Sequence, residues 1–214
     1  MTAKQDKLAT LFKQAMIIPV LTIDRLEDAV PLAKALVAGG VRVLEVTLRT
    51  PVAIEAAKAI MAHVPEAIVG IGTILSAADL ARAEALGAEF GISPGATPDL
   101  LKAAAASALP FAPGIATASD LMQALAHGFN LVKFFPAESA GGIKALRALA
   151  GPFPDVRFCP TGGIGEANAA AWLSEPNVVA VGGSWLCPAA DIRSGNWAGI
   201  SAICHRTMKS LKPA

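Results

Sequence analysis

Tyrosine is absent from the 214 residues, and cysteine and histidine occur only three times each. Without tyrosine, no phenol can act as an acid in any chemistry of this chain. Cys159, Cys187 and Cys204 are odd in number and have no CxxC spacing, so they exclude a disulfide scaffold and favour a reducing compartment. The histidines fall in predicted helices at unrelated spacings, so we expect no metal site.

Charge is also scarce. Charged residues make up 16% of the chain, and eighteen Lys and Arg against seventeen Asp and Glu leave a net charge of +1. This balance supports neither a nucleic-acid surface nor an acidic tail. The longest charge-free run, 103–119, contains two prolines and a glycine, so no segment supplies the roughly 20 apolar helical residues of a membrane span. The apolar run at 15–23 contains a proline and lacks a signal-peptide cleavage site. We therefore expect a cytoplasmic protein without membrane attachment.

What the chain does contain is 54% hydrophobic residues, arranged as a repeated strand–helix unit. Short apolar runs rich in β-branched residues predict eight strands, at 17–22, 42–47, 68–73, 89–93, 111–114, 131–135, 157–161 and 178–182. Segments with helical spacing predict the helices between them, at 26–37, 52–63, 77–86, 98–107, 119–127, 143–150 and 166–173. Two more helices are predicted at 4–14 and 196–209. Strands that are apolar throughout indicate burial on both faces, as in a parallel sheet with helical crossovers. The pattern predicts one α/β domain over 1–214, a (β/α)8 TIM barrel with an additional N-terminal helix.

In such a barrel the active site lies at the carboxyl ends of the strands. Lys133 lies inside an uninterrupted apolar strand pattern, and a buried lysine is usually paired, neutral or functional. One alternative is a side chain that extends to the barrel rim or forms a structural ion pair. Glu45 and Arg49 are predicted on one face of the second strand. Their convergence with Lys133 at the barrel mouth favours catalysis.

A free amine at Lys133 could attack a ketone and form a Schiff base, which then accepts electrons. Burial and a nearby cation such as Arg49 both favour a neutral amine. Glu45 is the leading acid–base candidate, because the chain has no tyrosine and no histidine at a strand end. The alternative is that Glu45 is a counter-ion for one of the two cations. Cys159 has no histidine in its motif, so we expect it to pack in the core.

Glycine pairs follow the seventh and eighth strands, as Gly162-Gly163 and Gly182-Gly183, the latter followed by Ser184. Many barrels bind phosphate at these loops, because glycine lets backbone N–H groups approach the anion. The alternative is a pair of tight turns that only require positive φ. Three other strand-end side chains are expected to bind polar groups of a substrate, namely Arg49 with its planar fork, Thr73 and Thr161.

Six motifs resemble the class I aldolases that act on 2-dehydro-3-deoxy-phosphogluconate (KDPG), also described as 4-hydroxy-2-oxoglutarate (KHG) aldolases. They are GVRVLEVTLRT at 40–50, GIGT at 70–73, ISPG at 92–95, KFFPAE at 133–138, FCPTGGI at 158–164 and GGSWL at 182–186. Together they run along nearly the whole chain. The TLRT stretch is similar to the gluconate type and not to enzymes for the galactonate epimer. Gly165-Glu166 departs from the family pattern after the phosphate glycines.

The resemblance implies a homotrimeric barrel in which Lys133 forms the Schiff base and Glu45 carries protons. It implies that the pyruvate portion is held by Arg49, Thr73 and Thr161, with Pro94 and Phe135 on its apolar side. The implied phosphate loop consists of Gly162, Gly163, Gly183 and Ser184.

The reaction implied is cleavage of 2-dehydro-3-deoxy-6-phospho-D-gluconate to pyruvate and D-glyceraldehyde 3-phosphate in the Entner–Doudoroff pathway. It needs no metal or other cofactor. The same family resemblance implies a second candidate substrate, 4-hydroxy-2-oxoglutarate, which would give pyruvate and glyoxylate.

The residues themselves leave two other functions open. A phosphosugar isomerase or epimerase would share the phosphate glycines but would use a pair of proton carriers without an imine. A non-catalytic phosphosugar-binding barrel would bind a ligand without exchanging the methyl protons of pyruvate. Lys133 inside a strand argues against both.

Overall fold

The computed structural model describes residues 3–211, in which strands and helices alternate. The strands are β1 (Ile17–Leu21), β2 (Val43–Thr47), β3 (Ile68–Gly72), β4 (Phe90–Ile92), β5 (Phe111–Ala112), β6 (Gly114–Ile115), β7 (Leu131–Phe134), β8 (Arg157–Pro160) and β9 (Val181–Gly183). The helices are α1 (Ala3–Ala15), α2 (Leu26–Ala38), α3 (Ala53–His63), α4 (Ala77–Leu86), α5 (Pro98–Ala106), α6 (Ala118–Ala126), α7 (Gly142–Ala150), α8 (Ala169–Leu173), α9 (Ala189–Ser194) and α10 (Trp197–Leu211).

All strand pairs in this part of the chain are parallel. One sheet has the order β5-β4-β3-β2-β1-β9, and the other has the order β6-β7-β8. Pro113 alone separates β5 from β6, because it has no N–H to continue the ladder, although its carbonyl accepts a hydrogen bond from the Lys133 N–H at 2.9 Å. An isolated bridge joins Thr161 to Gly182. The result is an α/β fold with a curled parallel sheet and an N-terminal helix before it.

Alternate strand residues pack into two separate cores. Side chains such as Leu44 and Val46 face the surrounding helices. Their neighbours on the opposite face form the inner core, which consists of Ile18, Val43, Phe90, Ile92, Ala112, Leu131, Cys159 and Ala180 together with Leu8, Ala9 and Phe12 of α1. The helix α1 therefore covers one end of the inner face.

Gln5 fixes α1 at the amino ends of the strands. Its Nε2 donates to the carbonyl of Phe111 at 2.8 Å, and its Oε1 accepts from the N–H groups of Asn130 at 3.2 Å and Leu131 at 2.9 Å. A buried amide needs such partners, since an unsatisfied polar group in the core is costly. The opposite end of the inner face, at the carboxyl ends of the strands, is left for a binding site.

Most predicted elements coincide with observed ones within one or two residues, and three differ. The eighth predicted strand, 178–182, is observed only from Val181, because Val179 donates its N–H to Phe158 of β8 at 3.0 Å before the chain joins β1. The predicted helix at 166–173 begins at Ala169, after a turn in which Ala169 donates to the carbonyl of Gly165. Helix α9 was not predicted, although a proline before it and a glycine after it mark its ends.

Among residues 3–211, no helix is both long and apolar enough to cross a membrane.

Candidate active site

Lys133 lies in the middle of β7, paired in register with Gly114 of β6 and Cys159 of β8. Every other lysine within residues 3–211 lies on a helix. Side chains alternate along a strand, so Lys133 shares the inner face with Leu131, while Val132 packs against the helices. Only 3% of Lys133 is exposed. The strand pattern therefore carries a primary amine into the interior of the curled sheet.

Glu45 lies on β2 and is 1% exposed. Its Oε1 lies 3.1 Å from Nζ of Lys133, although the two residues belong to different sheets and are 88 positions apart in the chain. This distance allows direct proton transfer between an amine and a carboxylate. Gly72 on the neighbouring strand leaves room for the carboxylate, since an added Cβ there would lie 2.1 Å from Oε1.

Cys159 completes the immediate surroundings of this pair. It is 2% exposed and belongs to the inner core, which confirms the prediction that it packs in the core. Burial raises the pKa of its thiol to about 12, while Lys133 acts in the opposite direction. The thiol is therefore protonated at neutral pH, and it lies beside the contact between Lys133 and Glu45.

Phe135 joins this pair to a cavity at the carboxyl ends of the strands. Its ring centroid lies 5.4 Å from Nζ of Lys133, within the usual range of a cation–π contact. The cavity measures about 150 Å³. Seven of the predicted site residues line it, together with the unpredicted Val20 and Ile164: Arg49, Phe135, Thr161, Gly162, Gly163, Gly183 and Ser184.

Two predicted binding residues, Thr73 and Pro94, are not part of this lining. Thr73 directly follows β3 and has a φ of 59°, a conformation that is strained for a β-branched residue and is found mostly at functional sites. Pro94 lies close to Gly114, the register partner of Lys133, because an added Cβ at Gly114 would be 2.2 Å from the Pro94 carbonyl carbon. Thr73 and Pro94 thus lie just beyond the carboxyl ends of β3 and β4, but neither residue lines the cavity.

Arg49 does not lie on the strand face where it was predicted. The strand β2 ends at Thr47, whose hydroxyl donates to the carbonyl of Leu21 at 2.8 Å, and Arg49 lies in the following turn. Its exposed guanidinium forms no hydrogen bond or ion pair with any residue between 3 and 211. The prediction of a shared strand face is therefore wrong, but the cation still lines the cavity and its donors are available to a ligand.

The glycine loops present hydrogen-bond donors to the same cavity. Gly162 and Gly163 have φ values of 103° and 76°, which require glycine. Their N–H groups and that of Ser184 have no hydrogen-bond acceptor within the described part of the chain. The Thr161 Oγ1, buried beside the Cys159 thiol, also lacks a partner of normal hydrogen-bond geometry in that part. Unpaired donors around a small cavity are suited to an anionic ligand.

Comparison with known proteins agrees with this arrangement. A family model described as KDPG and KHG aldolase matches residues 8–203. The chain belongs to the KDPG and KHG aldolase family. The resemblance read from the six motifs is confirmed.

Similar aldolases are found among both sequences and solved structures. The KHG/KDPG aldolase of Escherichia coli (strain K12) is 52% identical over 196 residues, which is 92% of each chain. The crystal structure of KDPG aldolase from Legionella pneumophila, with pyruvate captured at low pH as a covalent carbinolamine intermediate, has a TM-score of 0.91 and 48% identity, covering 93% of this chain and 97% of that one. The aldolase of Zymomonas mobilis ZM4 with 3-phosphoglycerate has a TM-score of 0.91 and 46% identity, covering 98% of both chains.

A hydrogen-bond network behind the glycine loop of this aldolase was not predicted. The Glu138 Oε1 accepts from Trp172 Nε1 at 2.8 Å and from Asn168 Nδ2 at 3.1 Å. The Asn168 side chain also contacts the backbone of Gly163 and Gly165. The sequence offered one signal for it, since Glu138 ends the KFFPAE motif that carries Lys133.

Metal-ligating side chains are dispersed in this aldolase. Within residues 3–211, no group of three His, Cys, Asp or Glu residues could hold a metal ion.

Proposed function

We propose that the chain cleaves 2-dehydro-3-deoxy-6-phospho-D-gluconate to pyruvate and D-glyceraldehyde 3-phosphate through a Schiff base on Lys133. The observation that carries the proposal is the 3.1 Å contact between Lys133 Nζ and Glu45 Oε1, buried beside a cavity lined with anion-binding groups. The amine supplies the electron sink, so this chemistry needs no metal or other cofactor.

In the first half of the reaction, the Lys133 amine attacks the C2 ketone and forms a carbinolamine. Loss of water, with protons carried by Glu45, gives an iminium ion. Glu45 then removes the proton of the C4 hydroxyl, directly or through a water molecule. The C3–C4 bond breaks, its electron pair moves to the iminium nitrogen, and D-glyceraldehyde 3-phosphate leaves.

The second half returns the enzyme to its starting state. The enamine left on Lys133 takes a proton at C3, and water hydrolyses the resulting iminium to pyruvate and the free amine. Glu45 suits this cycle, because the reaction needs a residue next to the amine that first accepts protons and later returns them. The covalent intermediate replaces a free carbanion that would be too unstable to form.

We assign the two anionic ends of the substrate to separate parts of the site. Arg49, Thr73 and Thr161 hold the carboxylate end, with Pro94 and Phe135 on its apolar side. The loops of Gly162, Gly163, Gly183 and Ser184 hold the phosphate, with the N–H groups of Gly162, Gly163 and Ser184 as the donors. Support comes from the unpaired donors around the cavity. Two relatives add to this, one captured with covalent pyruvate and the other solved with 3-phosphoglycerate.

We propose further that the two sheets close into one (β/α)8 barrel that is a single domain over 1–214. Counting β5 and β6 as one strand interrupted at Pro113 gives eight strands, and the bridge from Thr161 to Gly182 links β8 to β9. The inner core draws residues from both sheets, as a closed ring requires. One cooperative unfolding transition, identical by fluorescence and circular dichroism, is the expected result.

The proposed assembly is a cytoplasmic homotrimer. Two large apolar side chains, Leu75 and Met122, are 61% and 60% exposed in the single chain, and their burial in a subunit contact would remove apolar surface from water. Analytical ultracentrifugation should give a mass about three times the 21.8 kDa of one chain. A monomer at micromolar concentration would contradict this assembly.

A substrate panel tests the proposed reaction. The purified protein is given the phosphorylated gluconate derivative, its galactonate epimer and 4-hydroxy-2-oxoglutarate, and release of pyruvate is measured. We expect the gluconate derivative to have the highest kcat/KM and 4-hydroxy-2-oxoglutarate to be a second substrate, since the Escherichia coli relative is named a KHG/KDPG aldolase. Lys133→Met should abolish all three activities, whereas Lys34→Met, an exposed lysine on α2, should not.

The same panel separates the two other functions. Interconversion of phosphosugars without pyruvate release would indicate an isomerase or epimerase. Binding of the sugars without any turnover would indicate a binding protein. Either result would overturn the proposed cleavage.

A further inference from the structure

A network of three side chains behind the cavity has no part in the reaction described above. Glu138 lies in the loop between β7 and α7, Asn168 is the residue before α8, and Trp172 is fully buried on α8. We propose that these are positioning residues that hold the loop at 162–165 in its phosphate-binding conformation. Through this loop they set the preference for phosphorylated over unphosphorylated 2-keto acids. The inference rests on the proposed function of the cavity.

The network binds the carbonyl side of the loop. The Glu138 N–H donates to the carbonyl of Gly162 at 3.1 Å, and Asn168 Nδ2 donates to the carbonyl of Gly163 at 3.2 Å. Asn168 Oδ1 accepts the N–H of Gly165 at 2.8 Å. The Gly162 and Gly163 carbonyls each precede an unpaired N–H of the loop. Both carbonyls therefore accept a hydrogen bond from the network.

This anchoring determines where the loop N–H groups point. In a trans peptide the C=O of one residue and the N–H of the next lie in one plane and point in opposite directions. Holding the Gly162 carbonyl directs the Gly163 N–H away from Glu138, and holding the Gly163 carbonyl directs the Ile164 N–H away from Asn168. Neither N–H has an acceptor within residues 3–211, and both residues line the cavity.

The Glu138 carboxylate holds Asn168 in the orientation that this requires. Its Oε1 accepts from the Asn168 amide, so Nδ2 must face Glu138 and the Gly163 carbonyl, while Oδ1 faces the Gly165 N–H. Trp172 Nε1 fixes the same carboxylate oxygen at 2.8 Å. The Trp172 ring packs 6.3 Å from that of Phe134, the strand neighbour of Lys133. The loop is thereby tied to the core that carries the amine.

Such support matters for this loop because its own sequence does not make it rigid. Glycine has the largest conformational freedom of any residue, and three of the four residues at 162–165 are glycine. An unsupported loop would lose that freedom only on binding, which weakens affinity for the phosphate. The substrate carboxylate and ketone bind elsewhere, so an unphosphorylated substrate should be insensitive to this cost.

Asn168→Ala tests the proposal with two substrates. For the phosphorylated substrate we expect KM to rise about tenfold, the effect of unpairing one or two hydrogen bonds, while kcat changes by less than about twofold. For 4-hydroxy-2-oxoglutarate, kcat/KM should stay within about twofold of the unmodified enzyme. An equal loss on both substrates, or no loss on the phosphorylated one, would overturn the proposal.

A pair of variants at Glu138 provides the conservative rescue. Glu138→Gln retains an oxygen that can accept from Trp172 and Asn168, so its KM for the phosphorylated substrate should stay near normal. Glu138→Ala removes the acceptor and should behave like Asn168→Ala. The matched control is Asn196→Ala, which removes bonds to Asp191 and Gly199 at the start of α10 and should leave both substrates unaffected. Equal effects of the two Glu138 variants would contradict the role of the acceptor oxygen.

A binding measurement separates this inference from the proposed reaction. Inorganic phosphate is titrated by 31P NMR into the unmodified protein and the Asn168→Ala variant. The dissociation constant should rise about tenfold in the variant, and this result does not depend on turnover. If the unmodified protein binds phosphate but cleaves no substrate, the reaction is wrong and the loop assignment stands. If the variant binds phosphate normally, the loop assignment is wrong.

Discussion

At the scale of single residues, the proposed chemistry depends on two buried side chains. Lys133 and Glu45 are 3% and 1% exposed and lie 3.1 Å apart. Burial without partners would be costly for both groups, so each stabilises the other in the interior. The chain has no tyrosine, and none of its three histidines lies on a strand, so we propose Glu45 as the residue that moves protons next to the amine.

Substitution of the carboxylate tests this assignment. Glu45→Gln removes the proton carrier but leaves an amide of nearly equal size, so kcat should fall by about 100-fold or more. Imine formation with pyruvate should still be trapped by borohydride at a reduced rate. Glu55→Gln, an exposed change on α3, serves as the control. Turnover close to normal in Glu45→Gln would remove Glu45 from the mechanism.

The cysteines provide a pH-dependent prediction. Burial raises the pKa of Cys159 and Cys187 to about 12, against an ordinary value of 9.0. The folded protein therefore keeps these thiol protons to higher pH than the unfolded chain. This difference in thiol pKa adds to the free energy of unfolding. The contribution is fully present below about pH 9 and is lost as the pH rises towards 12. Urea unfolding across this range should show the decline, and thiol reagents at pH 8 should label the protein only after unfolding. Rapid labelling of the native protein would contradict the burial.

At the scale of elements, the strands place Lys133 and Glu45, and glycines leave space for the side chains around them. An added Cβ at Gly72 of β3 would lie 2.1 Å from Glu45 Oε1. An added Cβ at Gly163 would lie 2.7 Å from Glu138. These glycines have different roles, because Gly163 also requires a positive φ of 76°, whereas Gly72 lies in a regular strand.

Gly72→Ala should therefore displace the carboxylate without changing the backbone. We expect kcat to fall by at least about tenfold, because small misplacements of catalytic groups have large effects on rate, while KM changes less. Gly151→Ala is the control, since its nearest neighbouring atom to an added Cβ is 3.8 Å away. Unchanged kcat in Gly72→Ala would show that the carboxylate position does not limit the reaction.

The ion pair between α7 and the end of α8 gives a second prediction at this scale. The Arg147 guanidinium donates to Glu175 at 2.9 and 2.6 Å and holds the pKa of that carboxyl below its ordinary value of 4.5. A lowered pKa contributes stability that is present above about pH 4.5 and lost as the pH falls through the lowered value.

Arg147→Met should accordingly lower the melting temperature at about pH 7, and the difference should shrink towards about pH 4. The effect will be moderated by solvent, because the Arg147 side chain is 67% exposed. Arg206→Met removes a pair in which both side chains are more than half exposed and should change the melting temperature little. If Arg147→Met lowered the melting temperature equally at both pH values, the lowered pKa of the Glu175 carboxyl would be contradicted.

Elements and site were predictable from the sequence to different degrees. Every strand between residues 3 and 211 overlaps a predicted apolar run, because burial on both faces leaves a continuous signal. Lys133 stood out for the same reason, as a charge within such a run. Arg49 was misplaced, because alternation along a strand does not say where the strand ends. The Glu138 network was missed, because its partners Asn168 and Trp172 lie about thirty positions away and carry no local pattern.

At the scale of the whole molecule, two cores with different roles are arranged in layers. The outer core joins the strands to the helices, and the inner core is covered at the amino ends of the strands by Leu8 and Phe12 of α1. The Phe12 ring packs 5.3 Å from Phe90. The low charge content seen in the sequence follows from these two cores. Among residues 3–211, Glu45 and Lys133 are the least exposed of the four buried charged side chains, the other two being Asp28 and Glu175.

Borohydride trapping of the imine tests the proposed Schiff base on Lys133. The protein is incubated with pyruvate, reduced with borohydride, digested and mapped by mass spectrometry. We expect one reduced pyruvate adduct per chain, on Lys133, and none in Lys133→Met. An adduct confined to another lysine, or a protein that stays unlabelled while it cleaves its substrate, would contradict this proposal.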